Sequence, residues 1–201
     1  MKQGKITTPI GKLFWVQITP PGKRNYNDDG FEYVASVVLP IEDEDAKEFI
    51  TSLDEFYKAS HIKGKDLQSM GYKFCNEQGQ TKTVVENSDL SHYIISFKTK
   101  TTFNDGNQKT IKVYNSKAKS VDLGDIKIGN ESLGRINGTA MYYTNGKKDG
   151  VGLYLNALQL ITLIPYESSG GFDDKDYKEG DFIELASKES QEEFTEAPSR
   201  L

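Results

Sequence analysis

Side chains that could do acid-base, nucleophilic or metal chemistry are scarce in this chain: two histidines, His61 and His92, and one cysteine, Cys75. Neither histidine belongs to an H-E-x-x-H pair, and no G-x-S-x-G or G-x-x-x-x-G-K-[ST] run occurs. A single cysteine can build neither a structural zinc site nor an internal disulfide by itself. Asp122, Asp125 and Glu131 could suggest the metal cluster of a nuclease. Acids between strands are more often turn formers or solvated charges. The residues argue against an enzyme, and no motif asks for a cofactor or a metal.

Holding a polyanion is a different chemistry, and it has more candidates. Proteins that bind nucleic acid single strands combine a cationic groove that tracks phosphates with exposed aromatics on which bases stack. Trp15 is the foremost stacking candidate, followed by Tyr114, Tyr143 and Tyr154, each on the less apolar face of its strand. Any of these rings would also serve in core or rim packing. The phosphate candidates are Lys98, Lys100, Lys112 and Arg135 on outward strand positions, with Lys147 and Lys148 on a hairpin tip. Lys12, Arg24, Lys117 and Lys119 could extend the set.

The elements that must position these residues are mostly strands, because the dominant hydrophobic period is two, interrupted once by a period near 3.6. A strand is expected over 12–19, with Phe14, Val16 and Ile18 on the core face and Leu13, Trp15 and Gln17 opposite. A long polar loop leads to a second strand over 31–39. The segment 41–60 reads as an amphipathic helix through Ala46, Phe49, Ile50, Leu53 and Tyr57, with acids crowding its first turn where the helix dipole favours them. Over 91–103, Tyr93, Ile95, Phe97 and Thr99 form a core face, and His92, Ile94, Ser96, Lys98 and Lys100 face outward. Ile111 and Val113 alternate with Lys112 and Tyr114. Strands over 133–144 and 151–163 flank a hairpin turn at 145–150, where both the Asn-Gly and the Asp-Gly steps favour turning. Gly134 and Gly138 within the first of these suggest a bulge or a coil of the sheet. Beyond Ala157 both faces are apolar, and the period stops deciding between them.

Charge is distributed unevenly. Residues 166–201 carry eleven acids against four bases, a net of −7, whereas residues 1–165 sum to +2. The helical segment alone holds −5, so the β-structure around it carries +7. An acidic helix belongs away from any nucleic acid, and the basic surplus lies on strands and loops. An acidic tail on a basic body suits a protein that handles a polyanion and carries a competing anion, although acidic tails also serve solubility alone.

The run 127–160 has a recognisable order: Ile128-Gly129-Asn130, then Gly134-Arg135, then Gly146-Lys147-Lys148, then Leu153-Tyr154-Leu155-Asn156-Ala157-Leu158-Gln159. It resembles the single-stranded DNA-binding proteins encoded by tailed phages, the group that includes the replication protein of T-seven-like phages. The resemblance implies an OB-fold that binds single-stranded DNA without sequence preference in phage replication, recombination and repair. It also implies a tail that contacts replicative DNA polymerase and helicase-primase, and it is consistent with a homodimer that exchanges tails. In the family the tail ends in acidic residues and an aromatic. Here it ends Ser199-Arg200-Leu201, with its aromatics further in, so Phe172, Phe182 and Phe194, together with Tyr177, are the partner-binding candidates.

The expected fold class is mainly β: an OB-fold-like five-stranded barrel with one amphipathic helix over 1–165, followed by a flexible acidic tail over 166–201. The N-terminal run lacks the apolar stretch of a signal peptide, and no segment approaches the ~20 apolar residues of a membrane span. A cytoplasmic protein is expected, in the host cell if phage-encoded, with no membrane contact. Two N-x-S/T sites, at Asn130 and Asn137, have no secretory context and are read as coincidence. A virion structural or assembly protein and an RNA-binding OB module are the alternatives.

Overall fold

The computed structural model describes residues 2–27 and 30–166. The tail candidates Phe172, Phe182 and Phe194 lie outside the described residues.

Five long strands correspond to the five expected from the alternating pattern. These are β2 (Gly11–Gln17), β4 (Phe31–Pro40), β7 (His92–Lys100), β10 (Leu133–Asn145) and β11 (Lys148–Thr162). Six short strands complete the described set: β1 (Gln3–Thr7), β3 (Lys23–Arg24), β5 (Asp66–Ser69), β6 (Tyr72–Cys75), β8 (Lys112–Tyr114) and β9 (Ser120–Val121). They form one sheet in the order β6-β7-β4-β2-β10-β11-β8-β9, with β1 on β10, β3 on β4 and β5 on β11. Every pairing is antiparallel except those of β11 with β5 and β8. The sheet coils until β7 lies against β11 without a hydrogen-bonded ladder between them, an OB-like curl that does not close.

The coil buries one face of each long strand. Tyr33, Ala35, Val37 and Leu39 of β4 meet Ile95 and Phe97 of β7, with Ile136 and Ala140 of β10 and Val151, Leu153 and Leu155 of β11. Gly138 is a packing requirement, since a Cβ there would sit 2.4 Å from the Phe97 ring. The register shifts at this point, with Asn137 opposite Ala157 and Gly138 opposite Leu155. The extra residue, Asn156, moves the buried positions of β11 from Val151, Leu153 and Leu155 to Leu158 and Leu160. That bulge is why the period of two fails near Ala157.

Helix α1 (Glu44–Lys58) starts where Asp43 accepts the Ala46 N–H at 2.8 Å, an N-cap that stabilises by about 1 kcal/mol. Its apolar stripe of Ala46, Phe49, Ile50 and Leu53 is buried in the barrel's own core. Each of the three larger side chains contributes roughly 1.5–3 kcal/mol through that burial. The expected helix is therefore present, with the ends of the 41–60 segment trimmed.

The hairpin turn is shorter than expected. Asn145 pairs with Lys148, so Gly146 and Lys147 alone make the turn, with Gly146 at φ 56°. The Asp149-Gly150 step is strand, and Asp149 is completely buried. Once Asn-Gly has turned the chain, the second turn-favouring pair is free to pair in β11.

Candidate nucleic-acid interface

The expected faces of β2 are wrong in an informative way. Leu13 is in the barrel core, Phe14 points outward into a small cluster with Val38, Cys75 and Ile94, and Val16 and Ile18 pack against the barrel core again. Strict alternation would put Phe14, Val16 and Ile18 together. Trp15 breaks the parity by adopting φ 50°, and the ladder with β4 skips from Phe14 opposite Ser36 to Gln17 opposite Val34. A left-handed residue other than glycine costs about 1–2 kcal/mol, so the surroundings must hold it.

They do so through the Ile128-Gly129-Asn130 run. The Trp15 N–H donates to Asn130 Oδ1 at 2.9 Å, and the Glu131 N–H donates to the Leu13 carbonyl at 2.8 Å. Ile128 anchors the run in the core. A Cβ on Gly129 would lie 2.8 Å from the carbonyl oxygens of Ile164 and Pro165, so only glycine lets the chain pass there. The consequence is an indole that is 50 % exposed on a rigid support.

Trp15 stands at the junction of two grooves. One, of about 870 Å³, is lined by Trp15, Lys73, Ser96, Lys98, Tyr143 and Tyr154 among others. Strand parity supplies the outward residues of β7, while Tyr143 and Tyr154 come from β10 and β11. Its polar floor is tied by the Ser36 and Ser96 hydroxyls, 2.8 Å apart. Lys98 lies 3.5 Å from Glu32, and Tyr154 is 44 % exposed. The second groove, of about 1080 Å³, is lined by Trp15, Lys23, Lys112, Lys127 and Tyr166 among others. No residue of α1 lines either groove, so the acidic helix stands apart from both.

Four sequence candidates, Trp15, Lys98, Tyr143 and Tyr154, thus share one groove, and Lys112 lines the adjoining one. Lys100, Tyr114, Arg135, Lys147 and Lys148 line neither. Lys100 is exposed at the end of β7, two residues beyond Lys98 on the same face. Arg135 Nε donates to Gln159 Oε1 at 2.6 Å, and Gln159 lies opposite Tyr114. Lys147 and Lys148 sit at the hairpin, where Lys65 Nζ donates to the Gly146 carbonyl at 2.6 Å. Lys73, Lys23 and Lys127 are groove lysines that alternation alone did not single out; β6 and β3 are short, and Lys127 lies in a loop.

The acid-base residues go elsewhere. His61 Nδ1 is 2.7 Å from Asp149 Oδ2, the Tyr142 hydroxyl donates to the same oxygen at 2.6 Å, and the Tyr57 hydroxyl donates to Oδ1 at 2.9 Å. The Ile62 N–H adds a weaker bond at 3.4 Å. Burial alone would raise the Asp149 pKa, but these donors outweigh it and hold the carboxyl at about 2. Burial, and then the hydrogen bond to Asp149, push Tyr57 up to about 12. An ionised carboxylate only accepts, so His61 carries its proton on Nδ1. The network ties the end of α1 to the hairpin. Burial raises Cys75 to about 12 and lowers His92. Asp122 accepts the Gly124 N–H at 3.0 Å within its own turn, and no cluster of three or more metal-ligating side chains occurs among the described residues. Asn137 bonds Thr7. No described helix is long and apolar enough to cross a membrane.

No family model and no curated protein matches the chain. Solved structures do, among them phage single-stranded DNA-binding proteins. One is gp2.5 of bacteriophage T7, at 17 % identity and a TM-score of 0.58, covering 85 % of this chain and 97 % of that one. Another is the protein of bacteriophage Enc34 in complex with single-stranded DNA, at 12 % identity and a TM-score of 0.53, covering 82 % and 90 %. The C-terminally truncated Enc34 protein gives 11 % identity and a TM-score of 0.53, covering 81 % and 88 %. At these identities the likeness is one of fold, and it extends over more than four fifths of the chain.

Proposed function

We propose that the protein binds single-stranded DNA without sequence preference, as a phage-encoded protein acting in replication, recombination and repair. The observation that carries this reading is the groove in which Trp15, Tyr143 and Tyr154 stand with Lys98 and Lys73. Rings stack on bases regardless of sequence, and lysines release counterions as they neutralise phosphates. Binding is the activity, and no group is assigned a catalytic role.

The tail takes the second part of the proposal. With a net charge of −7 over 166–201, it competes with DNA for the basic face and, once displaced, recruits partners through Phe172, Phe182 and Phe194. Replicative DNA polymerase and helicase-primase are the expected partners, and a homodimer is compatible with tail exchange.

Anisotropy of labelled oligo-dT, with duplex and oligo-U as competitors, tests the binding. Saturable binding that duplex does not displace supports it, whereas preference for oligo-U moves the assignment to RNA. Removing residues 166–201 should tighten oligo-dT binding at low salt and do less at high salt, where screening shortens the range of charge. Unchanged or weaker affinity in the truncated protein counts against a competing tail.

A further inference from the structure

The second groove has no role in the binding just described, yet it begins at the same indole. Trp15 lines both grooves, and its backbone is fixed by Asn130 at the boundary between them. Beyond it, Lys23 from β3, Lys112 from β8 and Lys127 from the 122–132 loop converge on one channel, and all three are exposed. None of the three is ion-paired among the described residues, unlike Lys12 with Glu77 and Lys98 with Glu32. Asp122 is the one acid in the lining, and one of its oxygens is engaged by its own turn. Three unpaired cations along a channel match a chain of phosphates rather than a small apolar ligand.

The geometry points to this groove as a second subsite for the same strand: DNA passes from the first groove across Trp15, which stacks at the crossing, and its continuing phosphates are met by Lys23, Lys112 and Lys127. This rests on the proposed DNA binding. A short oligonucleotide fills the first groove alone, and only a longer one reaches the lysines.

The test compares full-chain wild type with the double variant Lys23→Ala/Lys127→Ala, using oligo-dT of about 4 and about 16 nucleotides, lengths that bracket the footprint of an OB-fold. Circular dichroism confirms folding, which exposed lysines should not disturb. For the long oligonucleotide the variant should lose at least about tenfold affinity near ~50 mM salt, and its log-log salt slope should shrink by about 1.4, or 0.7 per lost phosphate contact. Affinity for the short one should stay within about twofold of wild type. Equal losses at both lengths, or none at either while wild type still binds, would overturn the second subsite and leave the first groove standing. Failure of wild type to bind either oligonucleotide would remove both proposals.

Discussion

Tyr142 and Tyr143 follow one another in β10, yet the first is buried with its hydroxyl 2.6 Å from Asp149 and the second lines a groove beside Tyr154. Alternation along one strand sends the same side chain to two regions of opposite character. On one side tyrosine is used for its hydroxyl: Tyr57, Tyr142, His61 and the Ile62 N–H all converge on one carboxylate. On the other side the ring faces are presented, with lysines beside them. The first region is saturated and holds the fold together. The second presents exposed ring faces beside lysines, the arrangement on which the proposed DNA binding rests.

The comparison breaks most severely at Asp149. Asp149→Ala leaves the buried Tyr142 hydroxyl, the half-buried Tyr57 hydroxyl and the Ile62 N–H without their acceptor, and the melting temperature should fall on the order of 10 °C. Oligo-dT affinity per folded molecule should not change in the same variant. A loss of affinity without a loss of stability would mean that the two regions are not separate.

Trp15→Ala should do the reverse. Loss of one stacked base costs roughly 1 to 3 kcal/mol, or about 5- to 150-fold in affinity for oligo-dT. Trp15→Gly should bind as poorly while holding its melting temperature within about 5 °C of wild type, because glycine accepts the positive φ at no steric cost.

A smaller effect is expected at Asn130. Asn130→Ala removes the acceptor for the Trp15 N–H, so affinity should fall about fivefold and the emission of the sole tryptophan should shift before any DNA is added. The energy scale is that of one hydrogen bond, about 1 kcal/mol. Asn130→Asp, which keeps an acceptor oxygen, should restore the emission, while the negative charge it adds to the lining of the second groove keeps the affinity low.

The smallest and most gradual effect is with acid. Asp149 is held at about 2 when folded against an ordinary value of 3.8, so the folded state binds fewer protons than the unfolded one. Its contribution to stability is complete above about pH 4 and is lost as pH falls towards about 2. The gap in urea midpoint between wild type and Asp149→Asn should therefore be constant near neutrality and close over that window.

Much of the groove was legible from alternation. The outward positions of β7 brought Lys98 to it, and the less apolar faces of β10 and β11 brought Tyr143 and Tyr154. What stayed hidden depended on partners distant in sequence. The bulge at Trp15 is held by an asparagine 115 positions away, and no local pattern reports such a bond. Asp149 looked like a turn residue because its three side-chain partners lie on α1, after α1 and on β10. The short strands β1, β3, β5, β6 and β9 have too few residues to show a period, and pairing with neighbouring strands is what orders them. The acidic helix, by contrast, was legible from its own composition and spacing, and none of its residues lines either groove.

The most direct test is the emission of Trp15 during titration with oligo-dT, because it is the only tryptophan in the chain and stands where both grooves meet. Saturable quenching by oligo-dT, absent with matched duplex, is the result expected if bases stack on this indole. Binding seen by anisotropy while the emission stays constant would contradict it.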